Sequence, residues 1–233
     1  MGTPATILVV EDDADIRRIL RVALSAEGHK VVESATARRA AIDAATHKVD
    51  LAIVDLGLPD GDGLDLIRRL RSWSMLPLIV LSARTREEIK IAALDAGADD
   101  YVTKPFSIGE LAARVRVALR KPARLSAGPG PLQLGGTRID LATRQAWRDG
   151  TVVHLTPIEM KLIACLARHL GMVVTHRELL SEVWGPSHAE HTHYLRIYLK
   201  QLRDKLEADP TQPRHFLTET GVGYRLVADE GGA

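Results

Sequence analysis

Cysteine is almost missing from this chain: among 233 residues only Cys165 occurs. An internal disulfide is thereby excluded, and the apolar setting LIACLA marks the thiol as buried. A reducing, cytoplasmic compartment is expected. No apolar stretch is long enough to cross a bilayer. The opening MGTPATILVV has neither the basic n-region nor the long apolar h-region of a signal peptide, so no membrane partner is expected. An excess of one charge sign is missing too. The net charge is +1, with 19 basic against 18 acidic residues up to Ser126 and 12 against 12 beyond it. A claim on nucleic acid therefore has to rest on a local patch, not on overall charge. Polar low-complexity tracts long enough to stay disordered are also absent.

What is present suggests two domains, the usual outcome at this length. The first half alternates two textures. Ile7 to Val10, Lys30 to Glu33, Leu51 to Val54, Pro77 to Leu81 and Tyr101-Val102 read as short strands, apolar enough to be covered on both faces. Helical spacing predicts helices over 13–27, 35–46, 64–70 and 86–96, and a last one capped by Ser107 with Glu110 at the capping-box position. Five strands alternating with five helices predict an α/β fold around a parallel sheet. KPARLSAGPG, residues 121–130, has two prolines, two glycines and no apolar periodicity, the marks of a linker. The expected division is a first domain over 1–121, a linker over 122–131 and a second domain over 132–233. In the second half, 132–155 reads as a small antiparallel sheet with Asp149-Gly150 as a hairpin turn. Thr156, Pro157 and Glu159 start a helix as N-cap, N1 and N3. Helices over 177–184 and 192–206 come next, and Phe216 to Val227, bearing Gly221 and Gly223, reads as a terminal hairpin.

In an open α/β sheet, ligands bind beyond the carboxyl ends of the strands. The residues just past each strand are therefore informative. Glu11, Asp12 and Asp13 come after the first, Asp55 after the third, Ser82 after the fourth, and Lys104 with Pro105 after the fifth. Carboxylates crowded at one rim repel each other, and a hard dication relieves them. Mg²⁺ fits, since it takes oxygen ligands, few of them carboxylates, and keeps waters. An Asp beside such a cation is suited to attack phosphorus. Lys104 would neutralise a phosphoryl oxygen, and Ser82 would donate to another.

The motifs VVEDD, IVDLGLPDGDG, VLSA and YVTKPF stand in this order. Over residues 5–120 the chain resembles the receiver domain of two-component response regulators. That resemblance implies the flavodoxin-like strand order 2-1-3-4-5 and Asp55 as phospho-acceptor. It implies Mg²⁺ held by Glu11, Asp12, Asp55 and the backbone carbonyl of Gly57. Ser82 becomes the switch hydroxyl, Tyr101 the switch aromatic that turns inward on phosphorylation, and Lys104 the site's lysine. Glu11 departs from the commoner Asp, and its longer side chain is expected to reach the metal through water.

At about 100° per residue, His193, Arg196, Lys200 and Arg203 fall within an arc of about 80°. Leu195, Leu199, Leu202 and Leu206 cluster opposite, on an arc of about 60°. One face packs inward while the other presents cations. Helix, turn, helix and glycine-bearing hairpin suggest a winged helix-turn-helix. His193, Arg196 and Lys200 would reach bases or phosphates, Arg203 would sit further along toward the DNA backbone, and the wing from Thr220 to Arg225 would touch sugar–phosphate or the minor groove.

LTPIE, VVTHRELLSEVW, LRIYLKQLRDKLE and TETGVGYRL resemble the effector domain of the OmpR/PhoB subfamily, over about 132–227. VWGPSHAEHTHYLRIYLKQLRDKLE and PRHFLTETGVGYR are similar, more narrowly, to regulators of Kdp potassium-uptake operons. These likenesses imply a sensor histidine kinase of the Kdp type, promoter DNA and RNA polymerase as partners. They imply no enzymatic turnover beyond slow self-dephosphorylation. They imply a homodimer through the fourth helix, fifth strand and fifth helix, with Lys90 meeting Glu110, Asp99 meeting Arg114, and Asp100 meeting Lys121 or Arg120 of the partner. Two other readings stand beside this one. The first is an aspartyl-phosphate phosphohydrolase, which would want a second Asp where Gly57 stands. The second is a DNA-binding protein indifferent to phosphorylation, with the receiver as a dimerisation module.

Overall fold

The computed structural model describes residues 4–119, 131–188 and 191–229, without the Ser187 side chain. Arg120, Lys121 and the expected linker up to residue 130 lie outside the described residues. The chain separates into two compact units, Met1–Arg120 and Lys121–Ala233.

The first unit is built on five parallel strands, β1 (Thr6–Val10), β2 (Lys30–Ser34), β3 (Leu51–Val54), β4 (Leu78–Ser82) and β5 (Asp100–Thr103), in the order 2-1-3-4-5. β3 and β4 are buried along their whole length, which is why their sequences are solidly apolar and do not alternate. Five helices connect and cover the strands: α1 (Ala14–Ala26), α2 (Ala37–Thr46), α3 (Gly63–Arg71), α4 (Glu87–Asp95) and α5 (Ile108–Leu119). α1 and α5 pack together, and α2 packs against α3 and α3 against α4. Ile7, Val9, Leu51, Ile53, Ile79 and Leu81 meet Leu20, Leu24, Leu111 and Val115 in one core cluster. Each such side chain, fully buried, contributes on the order of 2 kcal/mol.

Helix starts are set by acids in the strand-to-helix loops. Asp13 accepts the amides of Asp15 and Ile16 at α1, so this third acid after β1 is a cap. Asp62 accepts the amide of Leu64 at α3. Asp60 reaches across from the loop after β3 to the amides of Ala37 and Arg38, in the first turn of α2. Those two bonds hold its carboxyl below the usual carboxylate range.

The second unit begins with an antiparallel meander, β6 (Leu132–Leu134), β7 (Thr137–Asp140), β8 (Gln145–Arg148) and β9 (Thr151–Val153). Its last turn carries Asp149 and Gly150 at φ 49° and 78°, the left-handed pair that a tight hairpin requires. α6 (Pro157–Arg168) opens with the expected capping box between Thr156 and Glu159. α7 (His176–Val183) and α8 (Thr192–Leu206) come next, with a 3₁₀ turn at Pro186–His188 between them. The expected terminal hairpin, β11 (Phe216–Glu219) with β12 (Gly223–Leu226), is in fact three-stranded. β10 (Val173–Thr175) pairs with β12, in the order 10-12-11. A Cβ at Gly223 would collide with the Val174 carbonyl, so this third strand is what demands glycine there.

The expected interface charges find partners inside their own chain. Asp99 accepts from Arg71 Nη2 and from the amide of Leu78, both at 2.8 Å. Arg114 donates to Asp100 at 2.9 Å and to Glu110 at 2.8 Å. Asp99, Asp100 and Arg114 are all buried within the single chain, where a buried charge needs a partner at hand. Lys90 lies over the Tyr101 ring, 6.0 Å from its centroid.

Two outcomes are expected. Arg114→Ala removes the cation beside the buried Asp100 carboxylate and destabilises the first unit by about 3 kcal/mol in urea melts; a loss below ~1 kcal/mol would mark the pair as solvent-screened. Burial also pushes the Cys165 thiol up, so thiol reagents at neutral pH should label the folded protein far more slowly than the denatured one.

Candidate functional site

Sheet register gathers the site. β1 and β3 align Val10 with Val54, and the amide of Asp55 bonds the Val10 carbonyl at 2.8 Å. Glu11 and Asp55 therefore leave the sheet side by side. β4 and β5 align Ser82 with Thr103, and the amide of Lys104 bonds the Ser82 carbonyl at 2.8 Å. Loops far apart in sequence thus open onto one rim. α3 starts hard against it: a Cβ at Gly63 would run into the backbone of Asp55 and Leu56, so only glycine permits that approach.

At the rim, Lys104 Nζ donates to Glu11 Oε2 at 2.7 Å and to Asp55 Oδ2 at 2.6 Å. Burial works against the ammonium's charge, but the bonds to Asp55 and Glu11 outweigh it and raise its pKa. The Glu11 pKa rises too, which for a carboxylate disfavours the charged form. Burial, helped by the neighbouring charge of Asp55, outweighs Lys104 and pushes its carboxyl up. Asp55 Oδ1 accepts the amide of Gly57 at 3.1 Å. Glu11, Asp12 and Asp55 each present an oxygen within 4.8 Å of the others.

Beside the carboxylates lies a second linked group. Ser82 Oγ accepts the amide of Arg84 at 3.3 Å, and the buried Tyr101 donates its hydroxyl to the Arg84 carbonyl at 2.6 Å. Burial raises the phenol pKa. Tyr101 thus already lies inward, the arrangement expected of the phosphorylated state. Arg84 reaches Asp62 across the loops at 3.8 Å. Its part in joining Ser82 to Tyr101 runs through backbone atoms, which carry no residue-type signal in a sequence.

In the second unit, the cationic face of α8 divides. Arg196 and Lys200 are exposed, and neither makes a hydrogen bond or ion pair among the described residues. His193 is half-buried, edge-on to Tyr194 at 4.7 Å. Arg203 Nε and Nη2 donate to the Phe216 carbonyl, and Nη2 to Thr218 Oγ1, which fastens α8 to β11. Thr220 is exposed at the wing turn, and Arg225 pairs with Glu219 across the wing.

Residues 7–116 match the response regulator receiver domain, and residues 150–226 match the C-terminal domain of transcriptional regulatory proteins. The KDP operon transcriptional regulatory protein KdpE of Escherichia coli K12 is 57% identical over 222 residues, which cover 95% of this chain and 98% of that protein. The chain belongs to the OmpR/PhoB family of two-component response regulators.

Transcriptional regulatory protein KdpE of Mycobacterium tuberculosis CDC 1551 is 48% identical over 223 residues, 95% of this chain and 99% of that one. Among solved structures, the Thermotoga maritima OmpR/PhoB homolog DrrB aligns over 97% of this regulator and 100% of its own chain, with a TM-score of 0.52 and 28% identity. A cysteine-substituted mutant of RitR aligns over 95% and 98% with a TM-score of 0.78; at 24% identity it speaks for the fold alone.

The chain is accordingly a phosphorylation-controlled transcription regulator, with a histidine kinase and DNA as partners. Receiver domains take Mg²⁺ at an acidic pocket, and the donors here fit it: all are oxygens, and an exposed Asp12 leaves an open side for waters. No helix among the described residues is long and apolar enough to cross a membrane.

Lys104 is bonded to Glu11 and Asp55, two of the three carboxylates that a dication at this rim would share. Lys104→Met is expected to tighten Mg²⁺ binding several-fold by isothermal titration calorimetry, since it removes a competing cation. Weaker binding would mean that the ammonium orders the carboxylates and does not compete for them.

Proposed function

We propose that this regulator accepts a phosphoryl group on Asp55 from a Kdp-type sensor histidine kinase, and in that state binds as a dimer to the promoter of a potassium-uptake operon, where it engages RNA polymerase. The observation that carries the reading is the pair of hydrogen bonds from Lys104 Nζ to Asp55 and Glu11, a cation poised between the two buried carboxylates of the rim. The operon assignment rests on the names borne by the two KdpE relatives.

An oxygen of Asp55 attacks phosphorus, the bond from phosphorus to the kinase imidazole nitrogen breaks, and the nitrogen keeps the electron pair. Mg²⁺, when held by Glu11, Asp12, Asp55 and the Gly57 carbonyl, supplies positive charge against the phosphoryl oxygens. Lys104 swings from the carboxylates to a phosphoryl oxygen, and Ser82 donates to another. The new group adds about 1.5 to 2 negative charges and biases a two-state element. In the favoured state Ser82 is drawn toward the phosphoryl group, and Tyr101 stays inward behind it.

Dimerisation through α4, β5 and α5 pairs Lys90 with Glu110, Asp99 with Arg114, and Asp100 with Lys121 or Arg120 across the two-fold. The exposed pairs among them give register more than affinity. Two effector domains then cover half-sites about one helical turn apart, with His193, Arg196 and Lys200 toward bases or phosphates, Arg203 toward the backbone, and the wing from Thr220 to Arg225 against sugar–phosphate or the minor groove.

The test is phosphodonor labelling and gel shifts on DNA upstream of a potassium-transporter operon, at fixed salt. Phosphorylation should tighten binding at least about tenfold, or ~1.4 kcal/mol. Asp55→Asn should take up no label and show no gain. A full gain in Asp55→Asn would favour phosphorylation-independent binding, and sustained release of phosphate would favour a hydrolase.

A further inference from the structure

The acidic rim has a second cation besides Lys104. Arg17 on α1 turns back over the loop after β1, and its Nη1 donates to the carbonyls of both Glu11 and Asp12 at 2.6 Å. The side chain is only 19% exposed, with Nε 3.9 Å from Glu33. Arg21, one turn further on, pairs with the same Glu33 at 3.3 Å and has no bond to the loop among the described residues.

By Coulomb's law a fixed positive charge beside a dication site opposes occupancy. The hydrogen bonds of Arg17 act in the opposite sense. Asp12 is exposed, and its carboxylate makes no hydrogen bond or ion pair among the described residues, so its direction is set by its own backbone. That backbone is held where the Glu11 amide meets the Ser34 carbonyl at 3.0 Å and where Arg17 takes both carbonyls. With those carbonyls engaged, the loop offers the rim side-chain oxygens only.

We propose that Arg17 is a positioning residue for the divalent cation: it fixes the Glu11–Asp12 peptides so that Asp12 faces Asp55, and it raises Mg²⁺ affinity although its own charge opposes the ion. This role presupposes the divalent site of the acidic rim and adds the residue that shapes it. Arg17 touches neither the metal nor the phosphoryl group.

The sign of one measurement separates positioning from electrostatics. Full-length protein and its Arg17→Gln, Arg17→Met and Arg21→Gln variants are titrated with MgCl₂ in a calorimeter. Loss of a partner behind the metal ligands weakens binding about tenfold or more, and that is expected of both Arg17 variants, with Arg21→Gln near the unmodified value. In metal-free protein, the amides of Asp12 and Asp13 should exchange faster in Arg17→Gln and not in Arg21→Gln. Unchanged or tighter Mg²⁺ binding in the Arg17 variants, or unchanged exchange, overturns the proposal. If the unmodified protein itself binds no Mg²⁺, the acidic-rim reading falls and Arg17's role with it; binding there with an unaltered Arg17→Gln defeats only the latter.

Discussion

Lys104 stands between two carboxylates that would otherwise repel each other, and the receiver's chemistry depends on that arrangement. Glu11 is nearly inaccessible and Asp55 little more open. Carrying two anions at one buried rim is unfavourable unless a cation neutralises them. The ammonium does so while remaining displaceable, because it is held by charge and hydrogen bonds at the end of a long stem.

The same register that brings Glu11, Asp55 and Lys104 together aligns Ser82 with the end of β5, and so links the acidic rim to Tyr101. Coupling runs through short steps. Ser82 Oγ and the Tyr101 hydroxyl meet the amide and the carbonyl around Arg84, whose side chain faces Asp62 in the loop after Asp55. The loop after Asp55 and the Ser82 and Tyr101 side chains therefore meet at one residue, Arg84. In the effector unit, Arg203 joins the recognition helix to the wing. Glu159 ties the start of α6 to the end of α8 through Lys205 at 2.6 Å. α8 is thus braced from behind, while Arg196 and Lys200 on it are exposed.

Much of this was legible in the chain because each element carried a local signature. The buried strands were readable as unbroken apolar runs, the α6 start as Thr156-Pro157-Ile158-Glu159, and the β8–β9 turn as Asp149-Gly150. β10 was not, since three residues before a helix cap carry too little periodicity to be told from a loop. The partners that Asp99 and Asp100 take within their own chain were not legible either. Asp99 and Asp100 are adjacent in the chain, yet they turn to Arg71 and Arg114, 28 and 14 residues away.

The amino-acid sequence alone determined which chemistry is available: acids after the first and third strands, a hydroxyl after the fourth, an ammonium after the fifth, and a helix with a leucine face and a cationic face. Those facts stem from short-range periodicity and strand-end position. Only the tertiary structure decided which charges are engaged internally. Arg203 and Arg114 look like available cations on a helical wheel, but each is committed to a partner brought in by packing. Arg17 looks like an ordinary surface residue until the loop after β1 folds beneath it. The physical reason is the same in all three cases. A guanidinium's reach spans several ångströms, so its partner is chosen by what the fold brings within that radius and not by its neighbours in sequence.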